Sequence, residues 1–369
     1  MSWQSRASAL ARGSSRADAL ADAPVRAGEL ARSHRDATAR EAGLTGELLD
    51  LLTDAAVTDV LVNPDGSVVI ERAGELQPLT MRIEDTRALA VRLAASAGRR
   101  LDDAAPIVDG TIIGNVRLHA ILSPLVSGGA AISLRTARHH AFSLNELAAR
   151  GALHPRIEQG VRALLSRGAN VVISGATGTG KTTLLSALLA SLPARERLLI
   201  IEESHELRPP HPHVVALQSR TANTEGRGAV TLSELVRAAL RMRPDRLVLG
   251  EARGAEIRDV LAALNTGHAG CWFTLHANSA ADVPARLLAL GALAGLSEAA
   301  LAAQAAAALD AIVHLRRDGP RRYVAELSVL QRRGSDLIVV PALHVSAAGE
   351  LTEGPGLAAM RGEAARTQP

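Results

Sequence analysis

The sequence predicts an α/β protein: a mostly parallel sheet wrapped by helices and closed by an antiparallel extension, preceded by a smaller α+β domain. Three observations carry this. From Ser143 onward, short runs dense in Val, Ile and Leu (NVVIS, RLLIIE, HVVALQS, RLVLGE and CWFTLHA) alternate with helical segments, as strands buried on both faces and joined by helices do. Three further β-runs, AIVHLR, YVAELSVL and DLIVVPAL, then close the domain as an antiparallel extension. Before residue 140 the pattern is instead mixed, hairpins with an occasional helix, so a domain boundary falls there.

Taken in order, residues 1–40 are rich in Ala, Arg, Ser and Asp without a clean period and read as a flexible arm. Residues 41–140 form the α+β domain. It begins with the apolar helix LTGELLDLL, followed by alternating VTDVLVN, a Pro-Asp-Gly turn at 64–66 and SVVIER, a hairpin signature. The helix EDTRALAVRLAASAG comes next, then strand-like NVRLHAIL and AAISLRT around Gly128-Gly129. Residues 141–345 form the larger domain. Ser143 and Glu146 have capping-box spacing, and a helix through RIEQGVRALLSRG leads into NVVIS. In TLSELVRAALRM, Leu232, Leu235, Val236, Ala239 and Leu240 share one face; the helix starts with a Thr231/Glu234 box and stops at Pro244. Residues 346–369 read as a polar C-terminal tail.

Composition removes several functions. With 369 residues and 47% hydrophobic content, the chain buries a large core and is not disordered. A net charge of +3 gives little reason for direct nucleic-acid binding, and five aromatic residues supply few stacking platforms for single strands. The one cysteine, Cys271, makes an intramolecular disulfide impossible and reads as a small buried residue in a reducing cytosol. The N-terminus lacks the apolar segment of a secretory signal, and the longest apolar run, Leu287 to Leu296, is far short of the roughly 20 residues of a membrane span.

One stretch carries chemistry. Lys181 is the only lysine, so 41 − 1 leaves 40 arginines, and it lies in SGATGTGKTTLL. Gly175-x-x-x-x-Gly180-Lys181-Thr182 follows the strand VVIS and opens a helix with Leu184, Leu185, Leu188 and Leu189 on one face, the setting of a phosphate-binding loop. Gly175, Gly178 and Gly180, with Thr177 and Thr179 between them, turn N–H groups toward phosphate oxygens at a helix N-terminus. A compact ammonium reaches the β- and γ-phosphates where a planar guanidinium is too large. Thr182 would hold Mg²⁺, and Thr183 would support the α-phosphate. Carboxylates at neighbouring strand ends complete such a site. LLIIEES places Glu202 and Glu203 there, and LVLGEAR places Glu251, the candidate for activating the attacking water; Glu203 and Glu206 would polarise water or Mg²⁺. Glu206 can equally be a solvated loop charge. His268 and His276 flank CWFTL and either sense the γ-phosphate or are paired structural imidazoles. His205, His211 and His213 lack the spacing and partners of a metal site.

GATGTGKTTLL, IIEESHEL, the block from His211 to Glu256 and NTGHAGCWFTLHANS together resemble the secretion-ATPase superfamily, the motors of type II and type IV secretion and type IV pili. The resemblance spans residue 44 to about 315 and is closest to the TadA/CpaF branch of tight-adherence pili. In that family these blocks are the Walker A, Asp, Walker B and His boxes, here at 175–182, 202–206, 246–251 and 267–277. VTDVLVNPDGSVVIERAGEL, GRRLDDAAPIVDG and NVRLHAILSPL resemble its N-terminal domain. The resemblance implies a RecA-like P-loop NTPase domain that hydrolyses ATP with Mg²⁺. It further implies a homo-hexamer with nucleotide between the two domains, partnered by inner-membrane platform proteins of a pilus or secretion machine and peripheral to the membrane's cytoplasmic face. Arg117, Arg135, Arg241, Arg243 and Arg253 match positions from which arginines reach phosphates, unless they are ordinary surface charges. Glu203 stands where the family usually has aspartate, and NPDG replaces its Gly-Pro. Two alternatives remain: a nucleotide-binding ring subunit with little hydrolysis, and the ATPase of a DNA conjugal-transfer system.

Overall fold

In the computed structural model, residues 44, 46–54, 56–72, 74–112, 116–136, 142–220, 222 and 227–361 are described. The chain divides into two compact units, Met1–His139 and His140–Pro369. The arm expected at residues 1–40 lies outside the described residues.

Among its described residues the first unit is one antiparallel sheet under two helices. Its elements are α1 (Gly46–Thr53), β1 (Val57–Val62), β2 (Ser67–Arg72), β3 (Glu75–Arg82), α2 (Thr86–Ser96), β4 (Ile107–Ile112), β5 (Val116–Leu122) and β6 (Ala130–Arg135), with sheet order β3-β2-β1-β6-β5-β4. Strict alternation sends Val60, Val62, Val68, Ile70, Leu118, Leu122, Ile132 and Leu134 to one face, where Leu48 and Leu52 of α1 and Leu89 and Leu93 of α2 cover them. Asp85 caps α2, accepting from the Ala88 N–H at 2.8 Å. Arg117 and Arg135 are direct neighbours across β5 and β6, on the face away from this core.

The second unit contains α3 (Leu144–Ala149), α4 (Pro155–Ser166), β7 (Val171–Ser174), α5 (Lys181–Ala190), β8 (Leu198–Glu202), β9 (Val214–Gln218), α6 (Leu232–Ala239), β10 (Arg246–Leu249), α7 (Glu256–Asn265), β11 (Trp272–Leu275), α8 (Val283–Leu293), α9 (Glu298–Ala308), β12 (Ala311–Asp318), β13 (Arg321–Arg333), β14 (Asp336–Val345), β15 (Leu351–Glu353) and α10 (Leu357–Met360). They build a nine-stranded sheet of order β15-β14-β13-β12-β7-β11-β10-β8-β9. Its central strands are buried at every position because both faces are covered, and most of those positions are apolar. Val171 and Ile173 join the core that holds Leu164, Leu185 and Leu188, whereas Val172, Leu199, Ile201 and Phe273 join the core that holds Val236, Val260 and Leu287. Each such leucine contributes roughly 1.5–3 kcal/mol by leaving water.

Three details differ from the sequence expectations. The capping box at Ser143 and Glu146 is formed, but it starts the short α3; α4 has its own start at His154 and Pro155. β12 runs parallel to β7, so the antiparallel extension begins at β13. The polar tail expected from residue 346 is a correction: β15 pairs with β14, and Met360 of α10 is buried against the sheet. Short amphipathic segments with few apolar residues do not announce themselves, because the sheet beside them supplies the apolar partner. Among the described residues no helix is long and apolar enough to cross a membrane.

Candidate active site

Six strands, β12, β7, β11, β10, β8 and β9, run parallel, so the segments leaving their carboxyl ends gather along one edge. β7 passes through Gly175–Gly180 into α5, whose first residue is Lys181. Gly178 and Gly180 have φ of 75° and 96°, the left-handed region open to glycine. A Cβ on Gly175 would stand 2.7 Å from the Leu315 carbonyl oxygen and from the Thr179 hydroxyl. No side chain caps the N-terminus of α5, which leaves its first N–H groups facing an anion-sized turn. Thr182 and Thr183 stand partly exposed in that first turn, and Thr177 lies on the exposed tip. Thr177 and Thr179 line a cleft of about 530 Å³ with Asn278, Arg316 and Arg317.

Lys181 is 7% exposed, and burial lowers its ammonium below the ordinary lysine range while the Glu251 charge opposes the shift. Its Nζ donates to the carbonyls of Gly175 at 2.8 Å and Ala176 at 3.0 Å, and to His276 Nδ1 at 3.4 Å. An ammonium only donates, so Nδ1 is the acceptor and the ring carries its proton on Nε2. That nitrogen lies 2.9 Å from Glu251 Oε1. Arg253 bonds the other Glu251 oxygen at 2.8 Å and Glu203 at 2.7 Å. The result is one continuous chain, Lys181–His276–Glu251–Arg253–Glu203, that joins four strand ends. Burial and the Lys181 charge hold the His276 imidazole below its ordinary range, which keeps this tautomer neutral near pH 7. The Arg253 end is about half exposed, so water screens its pairs and the latch opens at little cost.

Glu202 has a separate task. Its carboxylate is buried against Gly250, where an added Cβ would meet Glu202 Cγ at 2.7 Å. It accepts from the backbone N–H groups of Glu206 at 3.2 Å and Leu207 at 3.1 Å, shaping the turn that carries Glu203 and Glu206. Burial pushes its carboxyl up to about 7 against the pull of those two bonds. The folded state therefore keeps a proton that the unfolded chain releases near the ordinary carboxylate value, and this stabilisation is full below about pH 4.5 and lost as pH rises to about 7. Replacing Glu202 with Gln keeps an acceptor for the turn and removes the titration. The stability of the parent relative to Glu202→Gln is expected to fall between pH 4.5 and 7, by at most about 3 kcal/mol, and to stay level above that; urea melts across this range check it.

Other residues singled out from sequence fall elsewhere. His268 precedes β11, and Arg241 and Arg243 precede β10, so all three lie at the amino-terminal edge of the sheet, opposite Lys181. None of the three stands beside this chain's own phosphate loop: flanking a strand puts two residues at opposite ends, roughly 13 Å apart for four residues. Glu206 stays exposed on its turn. Arg117 and Arg135 belong to the first unit, where Arg135 lies 3.8 Å from Asp59. His211 and His213 bond Pro193 and Arg197, and no group of three metal-ligating side chains forms among the described residues. Cys271 is fully buried, its thiol pushed up to about 12, and is no nucleophile. The sequence reading gave the turn between β12 and β13 no part in the site: Arg322 donates to the Gly178 carbonyl at 2.8 Å, bracing the loop from outside. The run RRDGPRR, an arginine-rich turn between two β-runs, was its only signal.

A glycine loop leaving a central parallel strand, with carboxylates on the adjoining strand ends, defines a P-loop nucleotide-binding protein. More narrowly, the chain belongs to the Type II/IV secretion system protein family, whose model matches residues 44–327. It is 47% identical over 309 residues to a Mycobacterium tuberculosis protein provisionally named for conjugal transfer, covering 81% of this chain and 88% of that one. It is 32% identical to the conjugal transfer protein TrbB of Rhizobium radiobacter, covering 77% of this chain and 87% of that one. The fold, an N-terminal domain and a RecA-like domain, is shared with the Legionella pneumophila ATPase DotB, at 22% identity and a TM-score of 0.57 over 78% of this chain and 80% of that one.

Proposed function

We propose that this chain is an ATP-hydrolysing, ring-forming motor that powers a pilus or secretion machine at the cytoplasmic membrane. The observation that carries the reading is the unbroken Lys181–His276–Glu251–Arg253–Glu203 chain, because it links a phosphate-binding ammonium to the carboxylate placed to activate water. Phosphate oxygens entering the loop compete with the Gly175 and Ala176 carbonyls for Lys181. As Nζ turns toward them it leaves His276 Nδ1, and the ring and Glu251 are free to shift together. Glu251, released from the half-exposed Arg253, then accepts a proton from the attacking water. The Thr182 hydroxyl and the Glu203 carboxylate offer the hard oxygen donors suited to Mg²⁺, which supplies charge neutralisation on the phosphates when bound. Glu203 stands where the family usually has the shorter aspartate, and its carboxylate accepts from Arg253 at 2.7 Å. A ring subunit with little hydrolysis is the reading that gains if Glu203 fails in this role.

The proposed assembly is a homo-hexamer of the TadA/CpaF type, partnered by integral membrane platform proteins, in which Arg117 or Arg135 completes the nucleotide site only on closure. Specific activity is then expected to rise with protein concentration across the range where sizing chromatography shows monomer converting to hexamer. Flat activity per chain across that range would leave each chain catalytically complete alone and remove the ring motor. A second reading, the ATPase of a conjugal-transfer system, is favoured by the names of the 47% and 32% identical relatives. ATP turnover measured with and without DNA separates the two. No stimulation is expected from a net charge of +3 and five aromatic residues, and a several-fold rise would favour conjugation.

A further inference from the structure

The three glycines of the phosphate loop share one neighbour on their outer side, the β12–β13 hairpin. A Cβ on Gly175 would meet the Leu315 carbonyl oxygen at 2.7 Å and its Cβ at 3.4 Å; one on Gly178 would lie 3.8 Å from the Arg317 guanidinium, and one on Gly180 3.7 Å from Arg322 Cδ. Arg317 and Arg322 are direct partners across the hairpin. The Arg322 stem therefore runs along the loop past Gly180, and its Nε donates to the Gly178 carbonyl at 2.8 Å. β12 lies between β13 and β7, so no strand pairing duplicates this bond.

The bond fixes a direction. A trans peptide holds its C=O and N–H on opposite sides, so a Gly178 carbonyl drawn outward to Arg322 turns the Thr179 N–H inward. There the N–H meets the Ala176 carbonyl at 3.4 Å, the oxygen that also accepts from Lys181 at 3.0 Å. An N–H on that side of the loop is one that phosphate oxygens can use. Its own bond to Ala176 is long and weak, and does little to keep it there. The Thr179 hydroxyl bonds the same carbonyl at 2.8 Å, but a peptide flip turns ψ of one residue against φ of the next and leaves both side chains in place. Gly178, at φ 75°, has no Cβ to oppose such a flip. Flipped, the peptide would offer the phosphates a carbonyl where it now offers a donor.

We propose that Arg322 is a positioning residue of the phosphate site: its Nε–H holds the Gly178–Thr179 peptide with the amide toward a bound diphosphate group and the carbonyl away from it. The proposal deepens the reading of this loop as a nucleotide site and rests on it.

Two substitutions in the full-length chain isolate the bond. Arg322→Gln places an amide donor, Nε2, on Cδ where arginine has Nε; Arg322→Met places a methyl group at that position. Both are neutral and both keep a stem along Gly180, so they differ chiefly in the donor. Arg333→Met, at the other end of β13, removes an equal charge away from the loop. Calorimetric titrations with inorganic pyrophosphate, ADP and a non-hydrolysable ATP analogue, each with Mg²⁺, give the affinities, and thermal melts without ligand give the stability. A hydrogen bond from a charged donor shifts an equilibrium by about tenfold to a hundredfold, so Arg322→Met is expected to weaken all three ligands by a common factor of about fivefold to fiftyfold, with its melting temperature little changed. The common factor marks the diphosphate, the part the three ligands share. Arg322→Gln is expected to stay within about threefold of parental, and Arg333→Met to match the parent. Equal losses in the glutamine and methionine variants would assign the effect to the guanidinium charge. A loss for the nucleotides without one for pyrophosphate would place Arg322 against the base or ribose, and a loss matched by a fall in thermal stability would make the bond a support of the fold. Each of these results, or affinities within about twofold of parental in Arg322→Met, would overturn the proposal. A parent that binds ADP and hydrolyses no ATP overturns the motor reading alone, and the affinities still decide the tie; a parent that binds neither ADP nor pyrophosphate overturns both.

Discussion

Lys181→Arg is expected to abolish ATP turnover, by about 10³-fold or more, although it keeps the positive charge. The chain carries 40 arginines and this single lysine, so a guanidinium here would restore the side chain used for every other fixed positive charge. The geometry says why it fails. Nζ sits between two loop carbonyls at 2.8 and 3.0 Å, with His276 Nδ1 at 3.4 Å, in a site 7% exposed. A planar group with five donors cannot enter that space without opening the Gly175–Gly180 turn, and opening is resisted on the outer side, where Arg322 holds the Gly178 carbonyl. The loss should fall on both binding and turnover, since the ammonium serves the ground state and the transition state alike. Calorimetric titration with ATP and a phosphate-release assay measure the two. A folded variant turning over at half the parental rate would remove Lys181 from the phosphate site.

How far sequence reaches into this molecule depends on the range of the interaction. The phosphate loop was legible because its requirements are local: glycines for left-handed turns, a lysine and a threonine at fixed offsets, an apolar strand before and an amphipathic helix after. Both capping boxes, at Ser143/Glu146 and Thr231/Glu234, were legible for the same reason. β3 was not read, because Pro78 interrupts its run; the strand tolerates it as the outer edge of its sheet. Neither β15 nor α10 was read, since each is short and is stabilised by β14 and the core beside it. In the site, the carboxylates at strand ends were found by the parallel-sheet rule, but their division of labour was not. Glu202 and Glu203 are adjacent in sequence and point to opposite tasks, one buried under a turn and one exposed to Arg253, because a strand alternates its side chains between two sides. His268 and His276 looked equivalent around one β-run; the direction of β11 separates them. The ties from Arg253 to Glu203 and from Arg322 to Gly178 join residues far apart along the chain, and no spacing announces them.

Glu251→Gln is expected to slow turnover by about 10² to 10⁴-fold while nucleotide affinity stays near parental, which is the signature of a group needed to move a proton and not to hold the ground state. Glutamine keeps one oxygen to accept from His276 Nε2–H, so the 2.9 Å link to the Lys181 side of the chain survives. It turns an amide N–H toward Arg253, however, and two donors cannot bond, so the 2.8 Å contact is lost along with the basicity. These two losses must be told apart. Arg253→Ala removes the same contact, and the one to Glu203, while leaving the Glu251 carboxylate in place. Because the Arg253 pairs are about half exposed they contribute little to holding the fold, and the alanine variant is expected to retain turnover within about tenfold of parental. A large loss in Glu251→Gln beside a small one in Arg253→Ala assigns the chemistry to the carboxylate. Comparable losses in both would make Glu251 one end of an ion-paired scaffold, and parallel losses of affinity and turnover in Glu251→Gln would make it a holder of metal or nucleotide; either outcome would move the water-activating role elsewhere. Glu203, the other carboxylate bonded by the Arg253 guanidinium, would then be the residue to test, and Glu203→Gln should show the loss that Glu251→Gln did not.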